Sequence, residues 1–352
     1  MIVSLSRVLL NRAARIDRLP VSAAIAIAIT FYGFGTTVLS EAADVAEGAS
    51  VVTYYGYDDC IRLENETTTV TLCPAAGGRV LQYAIGGENV LYLPSGNEGW
   101  LYAEGKKGGK MHAGRFDFGP EKMVRHSNEL WMGRWAAKIT GPRSARLTSQ
   151  VDDVNGVRLI RDFVLDADSS YLRCRQTIEN VSDRDVSYCH WSRTFAIGGG
   201  IAVVPRSDRG RFPKGYVLYE PGNKIQFDPD DSNVLVTDQM VVVSGPPQYP
   251  KLGFDSYEGW IAYYAPSDQL FIKRYSAFRD RAYNEVAGLT ASVWYPQSDM
   301  VELEPIGPAE NLAPGQSASF DEHWWLLDAT FPRDAGAIDA AGLRTTLEQL
   351  HP

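Results

Sequence analysis

Two short stretches carry side chains of the kinds that move protons. One is "VSYCHWSRTF", Val186–Phe195, followed closely by the triplet Gly198–Gly200. As an extended strand it sorts Tyr188, His190, Ser192 and Thr194 onto one face and Cys189, Trp191, Arg193 and Phe195 onto the other. The glycines let a backbone or ligand come close. His190 on such a strand is a candidate general acid or base; it reads equally well as a hydrogen-bonded core histidine. The other stretch is "VELEP", Val301–Pro305, whose alternation puts Glu302 and Glu304 together. Two carboxylates so placed either sit in solvent or compete inside a concave site, and competition raises one pKa.

A third group is "KMHAGRFDFGPEK", with His112, Arg115, Asp117 and Glu121 interleaved with Phe116 and Phe118. Charged side chains suit hydroxyls and aromatic rings suit the faces of a polar ring compound; a structural loop would look much the same. "FDPDDSN", Phe227–Asn233, is dense in oxygen ligands but lacks EF-hand spacing and reads as a turn. Asn65 and Asn180 begin glycosylation sequons within predicted turns. There is no G-x-S-x-G elbow, H-E-x-x-H, Walker loop or strand-borne G-x-G-x-x-G. Serine hydrolases, zinc proteases and nucleotide enzymes are therefore disfavoured, and no metal or cofactor is expected.

The elements that must hold these residues are strands. From Val51 onward, short runs rich in Val, Ile, Thr and aromatics alternate with turn clusters, about fifteen strands in all. That pattern is an all-β protein of two stacked sheets. Ser95–Gly119 and Pro205–Asp231 read as long irregular segments framing a binding face. Helical periodicity is confined to "DAGAIDAAGLRTTLEQL" near the C-terminus, expected as a short helix capping one edge.

Bulk properties narrow the class further. A chain of 352 residues that is 45% hydrophobic and 22% charged is globular rather than disordered. Its net charge of −9, without Lys/Arg runs, offers nucleic acid nothing to hold. Residues 1–42 form a basic segment with Arg7, Arg12, Arg15 and Arg18, then an apolar run and small residues, as in a secretory signal. An uncleaved membrane anchor is the alternative, and would be the only membrane association. Residues 43–352 are then the functional domain, secreted or periplasmic. Cys60 and Cys73, and likewise Cys174 and Cys189, are nearly equidistant from predicted hairpin turns. In an exported protein that spacing suits two disulfides, or else four buried thiols.

Three segments together resemble the galactose mutarotase-like (aldose 1-epimerase-like) superfamily: "LENETTTVTLCPAAGGRVLQYAIGGENVLYL", "IENVSDRDVSYCHWSRTF" and "VELEPIGP…LAPGQSASFDEHWWLL". Their order and spacing cover roughly Cys60–Leu327, and "GPE" with "ELEPIGP" points to an uncharacterised bacterial branch. The resemblance implies a β-supersandwich with a mono- or oligosaccharide on its concave face. By position Glu304 matches the family's base and His190 its acid, with His112 near a second, orienting histidine. Arg79, Arg115, Asp117, Arg193, Glu302 and Trp294 complete the expected sugar-binding set. The reaction implied is ring opening and reclosure at the anomeric carbon. Two other functions stay open. One is a polysaccharide lyase acting on uronate glycans, with Tyr188 or His190 as base and Arg115 or Arg193 neutralising the carboxylate. The other is a non-catalytic sugar-binding module using Trp131, Trp135, Trp260 and Trp294.

Overall fold

Burial along the strands shows how the sequence alternation becomes a sandwich. In Val157–Leu165 and Leu172–Asn180 buried residues recur almost strictly at every second position, so one face meets the core and the other solvent. Val186–Ile197 and Met300–Pro305 break the rule, with runs of consecutive buried residues. Those two strands are covered on both faces, and the second covered face carries the candidate site.

The computed structural model describes residues 45–103, 112–297 and 299–351. The expected signal segment, residues 1–42, lies outside the described residues. Among these residues two antiparallel sheets form, one of fourteen strands and one of ten. Near the middle of the larger sheet the neighbours run Arg79–Ile85, Gly114–Gly119, Val186–Ile197, Met300–Pro305, Ala291–Trp294 and Lys251–Phe254. The smaller sheet has Gln269–Tyr275, Ser317–Asp328 and Leu172–Asn180 at its centre. Between the sheets lies an apolar layer that includes Val70, Phe116, Phe163, Phe271, Leu303 and Trp324.

Within that layer is one buried ion pair. Lys273 of the smaller sheet is fully buried and its Nζ lies 3.0 Å from Glu322 Oε2. It also donates to Ser192 Oγ at 3.1 Å, Thr194 Oγ1 at 2.8 Å and the Leu303 carbonyl at 3.2 Å. Burial pulls the Lys273 pKa down against the opposing pull of Glu322. The ammonium thus fastens two strands of the larger sheet from behind.

Several sequence expectations change here. Cys174 and Cys189 do not face each other across a hairpin: Leu172–Asn180 belongs to the smaller sheet and Val186–Ile197 to the larger, so the chain crosses between sheets. Cys60 and Cys73 do stand on paired strands, one step beyond the Ile61–Leu72 pair. All four cysteines are buried free thiols. The segments expected to be irregular contain strands, Gly114–Gly119 in the first and Tyr216–Glu220 and Lys224–Gln226 in the second. The helix Ala340–Gln349 packs by Leu343 and Leu347 on a face of the smaller sheet, against Val203, Val242 and Ile272, rather than on an edge.

Candidate functional site

The register of three adjacent strands assembles the site. Trp191 pairs with Asp117 and Arg193 with Arg115, while Phe195 pairs with Glu302. Because side chains alternate, Arg115, Asp117, Trp191, Arg193, Glu302 and Glu304 all leave the face of the larger sheet that is turned away from the apolar layer. Arg193 holds Glu302 with two donors, Nε to Oε1 and Nη2 to Oε2, the latter at 3.0 Å. Its Nη1 lies 3.4 Å from Asp117 Oδ2, which Arg115 Nη2 also meets at 2.7 Å. Trp191 Nε1 donates to Glu304 Oε2 at 2.7 Å. Two cations lie over the Trp191 ring, the Arg193 guanidinium at 4.7 Å and Lys251 Nζ at 4.9 Å. Lys251 in turn reaches Glu121 Oε2 at 2.8 Å.

Burial and charge separate the two neighbouring glutamates. Glu304 is pushed up to about 8, first by loss of solvent and then by the Glu302 charge and a hydrogen bond to it, against the pull of Lys251 and Arg193. Arg193 loses solvation too, but Glu302, Glu304 and Asp117 outweigh that loss and raise its pKa. Arg115 is lowered by burial and by Arg193 beside it. Glu121 is lowered, because Lys251 overcomes the cost of its partial burial.

Above this charged layer is a cavity of about 290 Å³ lined by Arg115, Asp117, Glu121, Trp131, Trp191 and Arg193 among others. Trp131 is brought there by the Gly77–Gly78 turn. Both glycines have positive φ, and a Cβ on Gly77 would stand 2.0 Å from the Trp131 carbonyl oxygen. Three buried polar atoms of the wall have no hydrogen-bond partner among the described residues: Arg115 Nε, Asp117 Oδ1 and Trp131 Nε1. Orphaned buried groups are costly, and these three belong to residues that line this one cavity.

His190 is not part of this constellation. It is fully buried on the opposite face of its strand, stacked between Phe116 and Phe320 at 6.0 and 5.6 Å, and shares a 3.1 Å hydrogen bond from Nε2 with the Ala318 carbonyl. Loss of solvent lowers it to about 4. It therefore does not face Glu304 across a ligand. The reason is parity: on a two-sided buried strand, Trp191 and Arg193 point to the site and their neighbours point to the core.

The other expected residues divide in the same way. Arg79 is fully buried and its two Nη atoms donate to the carbonyls of His112 and Trp131 at 3.0 and 2.8 Å, so it braces the wall from below. The His112 ring packs against Phe195 at 4.7 Å and is held down to about 4 by burial and by Arg79. Trp294 pairs with Glu302 across the sheet and meets Phe195 edge-on at 6.5 Å. Trp135 is core, and Tyr188 donates to the Asn155 carbonyl at 2.9 Å. Sequence reasoning missed Lys251 and the engagement of Trp191 with Glu304. The parity of Trp191 with Arg193 was a usable signal; Lys251 had none apart from sheet register.

No protein-family model and no curated sequence matches the chain. Solved structures do. A candidate aldose 1-epimerase from Escherichia coli K12 superposes with a TM-score of 0.55 at 12% identity, covering 76% of this chain and 98% of its own. A galactose mutarotase-like protein from Lactobacillus casei gives 0.52 at 11%, covering 76% and 100%. The fold is galactose mutarotase-like. A galactose mutarotase related enzyme from Lactobacillus acidophilus, 8% identical with a TM-score of 0.52 over 78% of this chain and all of its own, shares the same mutarotase-like sandwich. At these identities the likeness extends to the architecture, and the chemistry has to be argued from the side chains.

Proposed function

We propose that this chain is an exported carbohydrate-binding protein of the mutarotase-like fold that takes a neutral, monosaccharide-sized ring in the Arg115–Asp117–Trp131–Arg193 cavity. The observation that carries the reading is the set of unpartnered wall atoms. Two are donors, Arg115 Nε and Trp131 Nε1, and one is an acceptor, Asp117 Oδ1. A sugar hydroxyl both donates and accepts, so neighbouring hydroxyls satisfy such a mixed set. The Trp131 and Trp191 rings supply apolar walls for the C–H face of the ring. At about 290 Å³ the cavity is at the small end for ligand sites, which suits one ring rather than a chain.

Charge balance favours a neutral ring over a uronate. Arg115, Arg193 and Lys251 each have an acidic partner, respectively Asp117, Asp117 with Glu302, and Glu121. A carboxylate entering the site would have to displace one of these partners, which disfavours the uronate-lyase alternative.

A ring-opening activity of the aldose 1-epimerase type is supported by a separate observation, the raised Glu304 pKa. Ring opening removes the proton of the anomeric hydroxyl and delivers one to the ring oxygen as the C1–O5 bond breaks. A carboxyl that exchanges its proton near neutral pH suits that work. In this reading a turn of the Trp191 ring lets the sugar meet Glu304 directly. One carboxyl oxygen gives its proton to the ring oxygen while the other takes that of the anomeric hydroxyl. Trp191 Nε1 orients the carboxyl but relays no proton, and His190 has no part.

The test is titration calorimetry with D-galactose, D-glucose and D-glucuronate, alongside NMR exchange spectroscopy of anomer interconversion. Neutral sugars should bind, and Asp117→Asn or Trp131→Phe should weaken binding about tenfold, as expected for losing one buried hydrogen bond. Glu304→Gln should remove any anomer exchange. Binding that ignores both cavity substitutions would overturn the placement of the site.

A further inference from the structure

The helix Ala340–Gln349 leaves a second cavity, of about 240 Å³, between itself and the smaller sheet. Its lining includes the apolar side chains of Met240, Trp260, Leu343 and Leu347. It also includes three arginines, Arg206, Arg274 and Arg344. None of the three has a carboxylate within ion-pair distance among the described residues, in a chain of net charge −9.

Two of these arginines are fixed in place by backbone. Arg274 Nη1 donates to the carbonyls of Leu347 at 3.1 Å and Leu350 at 2.6 Å, at the end of the helix. Arg206 donates to the carbonyls of Thr237 at 2.7 Å and Pro213 at 3.2 Å. Among the described residues the Nε–Nη2 edge of Arg274 has no partner, and that edge is the one that grips two oxygens of a single anion. Glu258 also lines the cavity but is engaged by Arg279 at 3.6 Å and by Ser207 Oγ at 3.2 Å. Glu348 stands one turn along the helix from Arg344.

We propose that this cavity is a binding site for a small organic anion, a carboxylate or phosphate on a compact apolar body. The Nε–Nη2 edge of Arg274 takes two anion oxygens, Arg206 and Arg344 supply further positive charge, and Trp260 packs on the apolar part. Because Arg206 and Arg274 are already immobilised, little side-chain freedom is lost on binding. The site is separate from the sugar cavity and does not depend on it.

The experiment follows Trp260 fluorescence and calorimetry of the full chain with benzoate and phenyl phosphate, using benzyl alcohol and inorganic phosphate as controls. At least one organic anion should bind one-to-one, with both controls at least about tenfold weaker. Arg274→Lys keeps the charge and a donor for the helix carbonyls but loses the fork, and should weaken binding about tenfold. Arg344→Gln, at an exposed position with no ion-pair or hydrogen-bond partner among the described residues, should weaken it severalfold without shifting the melting temperature. Absence of saturable binding by either organic anion overturns the proposal. So does equal binding of benzyl alcohol, equal binding of inorganic phosphate, or full affinity in both variants.

Discussion

Replacing Lys273 by Met tests whether the ammonium between the sheets holds the site strands together. Lys273 and Glu322 are both fully buried, so the substitution strands a carboxylate that, among the described residues, keeps only Gln176 and Trp324 as donors. Breaking a buried pair from one side costs about 3–5 kcal/mol. The Ser192 and Thr194 hydroxyls and the Leu303 carbonyl lose a donor as well, which places the expected loss toward the upper end of that range. For a domain of this size each kcal/mol is about 2–4 °C, so the melting temperature should fall by about 10 °C or more. The double variant Lys273→Met/Glu322→Gln removes the stranded charge and should recover at least half of the loss. Equilibrium urea unfolding with thermal melts of both variants and of Glu322→Gln closes the cycle. A single variant within about 1 kcal/mol of the parent at unchanged m-value would refute the reasoning, as would a double variant no better than the single.

The raised Glu304 makes stability depend on pH. Between the ordinary value of 4.5 and about 8 the folded chain keeps a proton that the unfolded chain releases, so this contribution is lost as pH rises through that window. The slope should reach about 1.4 kcal/mol per pH unit and flatten in Glu304→Gln, as measured by urea midpoints from pH 4 to 9. His190 is lowered instead, so its contribution is present above 6.5 and lost as pH falls toward about 4. Its imidazole should remain neutral at pH 5.5 by NMR, and His190→Phe should leave neutral-sugar affinity within twofold; a collapse of affinity would return His190 to the site. Titration with a thiol reagent in denaturant, without reductant, should count four free thiols per chain, and a count of two would mean that Cys60 and Cys73 are joined.

Period-two reading was enough to find the sandwich and to put Glu302 beside Glu304, because both depend only on local alternation. It also divided Val186–Ile197 into its two faces correctly. It could not say which face was the site: a strand buried on both sides offers no polar-out, apolar-in contrast. Site residues are therefore expected from both faces, His190 from one and Arg193 from the other, whereas the structure buries His190 among aromatic rings and gathers the charged groups on the Trp191–Arg193 face. The Cys174–Cys189 expectation failed for a related reason. A polar turn between two strands reads the same whether the second strand returns beside the first or crosses to the other sheet. Lys251 reaches the site only through register with strands far away in sequence, information that no local window contains.

The same register has a consequence for how the chain matures. Trp191 and Glu304 are 113 residues apart, and Arg193 and Asp117 are 76 apart. Contacts of such span require large loops to close before they return any energy, and they form late. On a nascent or clipped chain that lacks Met300–Pro305, Trp191 and Arg193 have no Glu304 and Glu302 to hold them in the cavity wall, however native the earlier strands are. Ligand binding should then reappear in refolding only with the slowest phase of sheet completion. Occupancy of the site becomes a test of finished folding, and a bound sugar would favour the fully closed sheet over its partly assembled precursors.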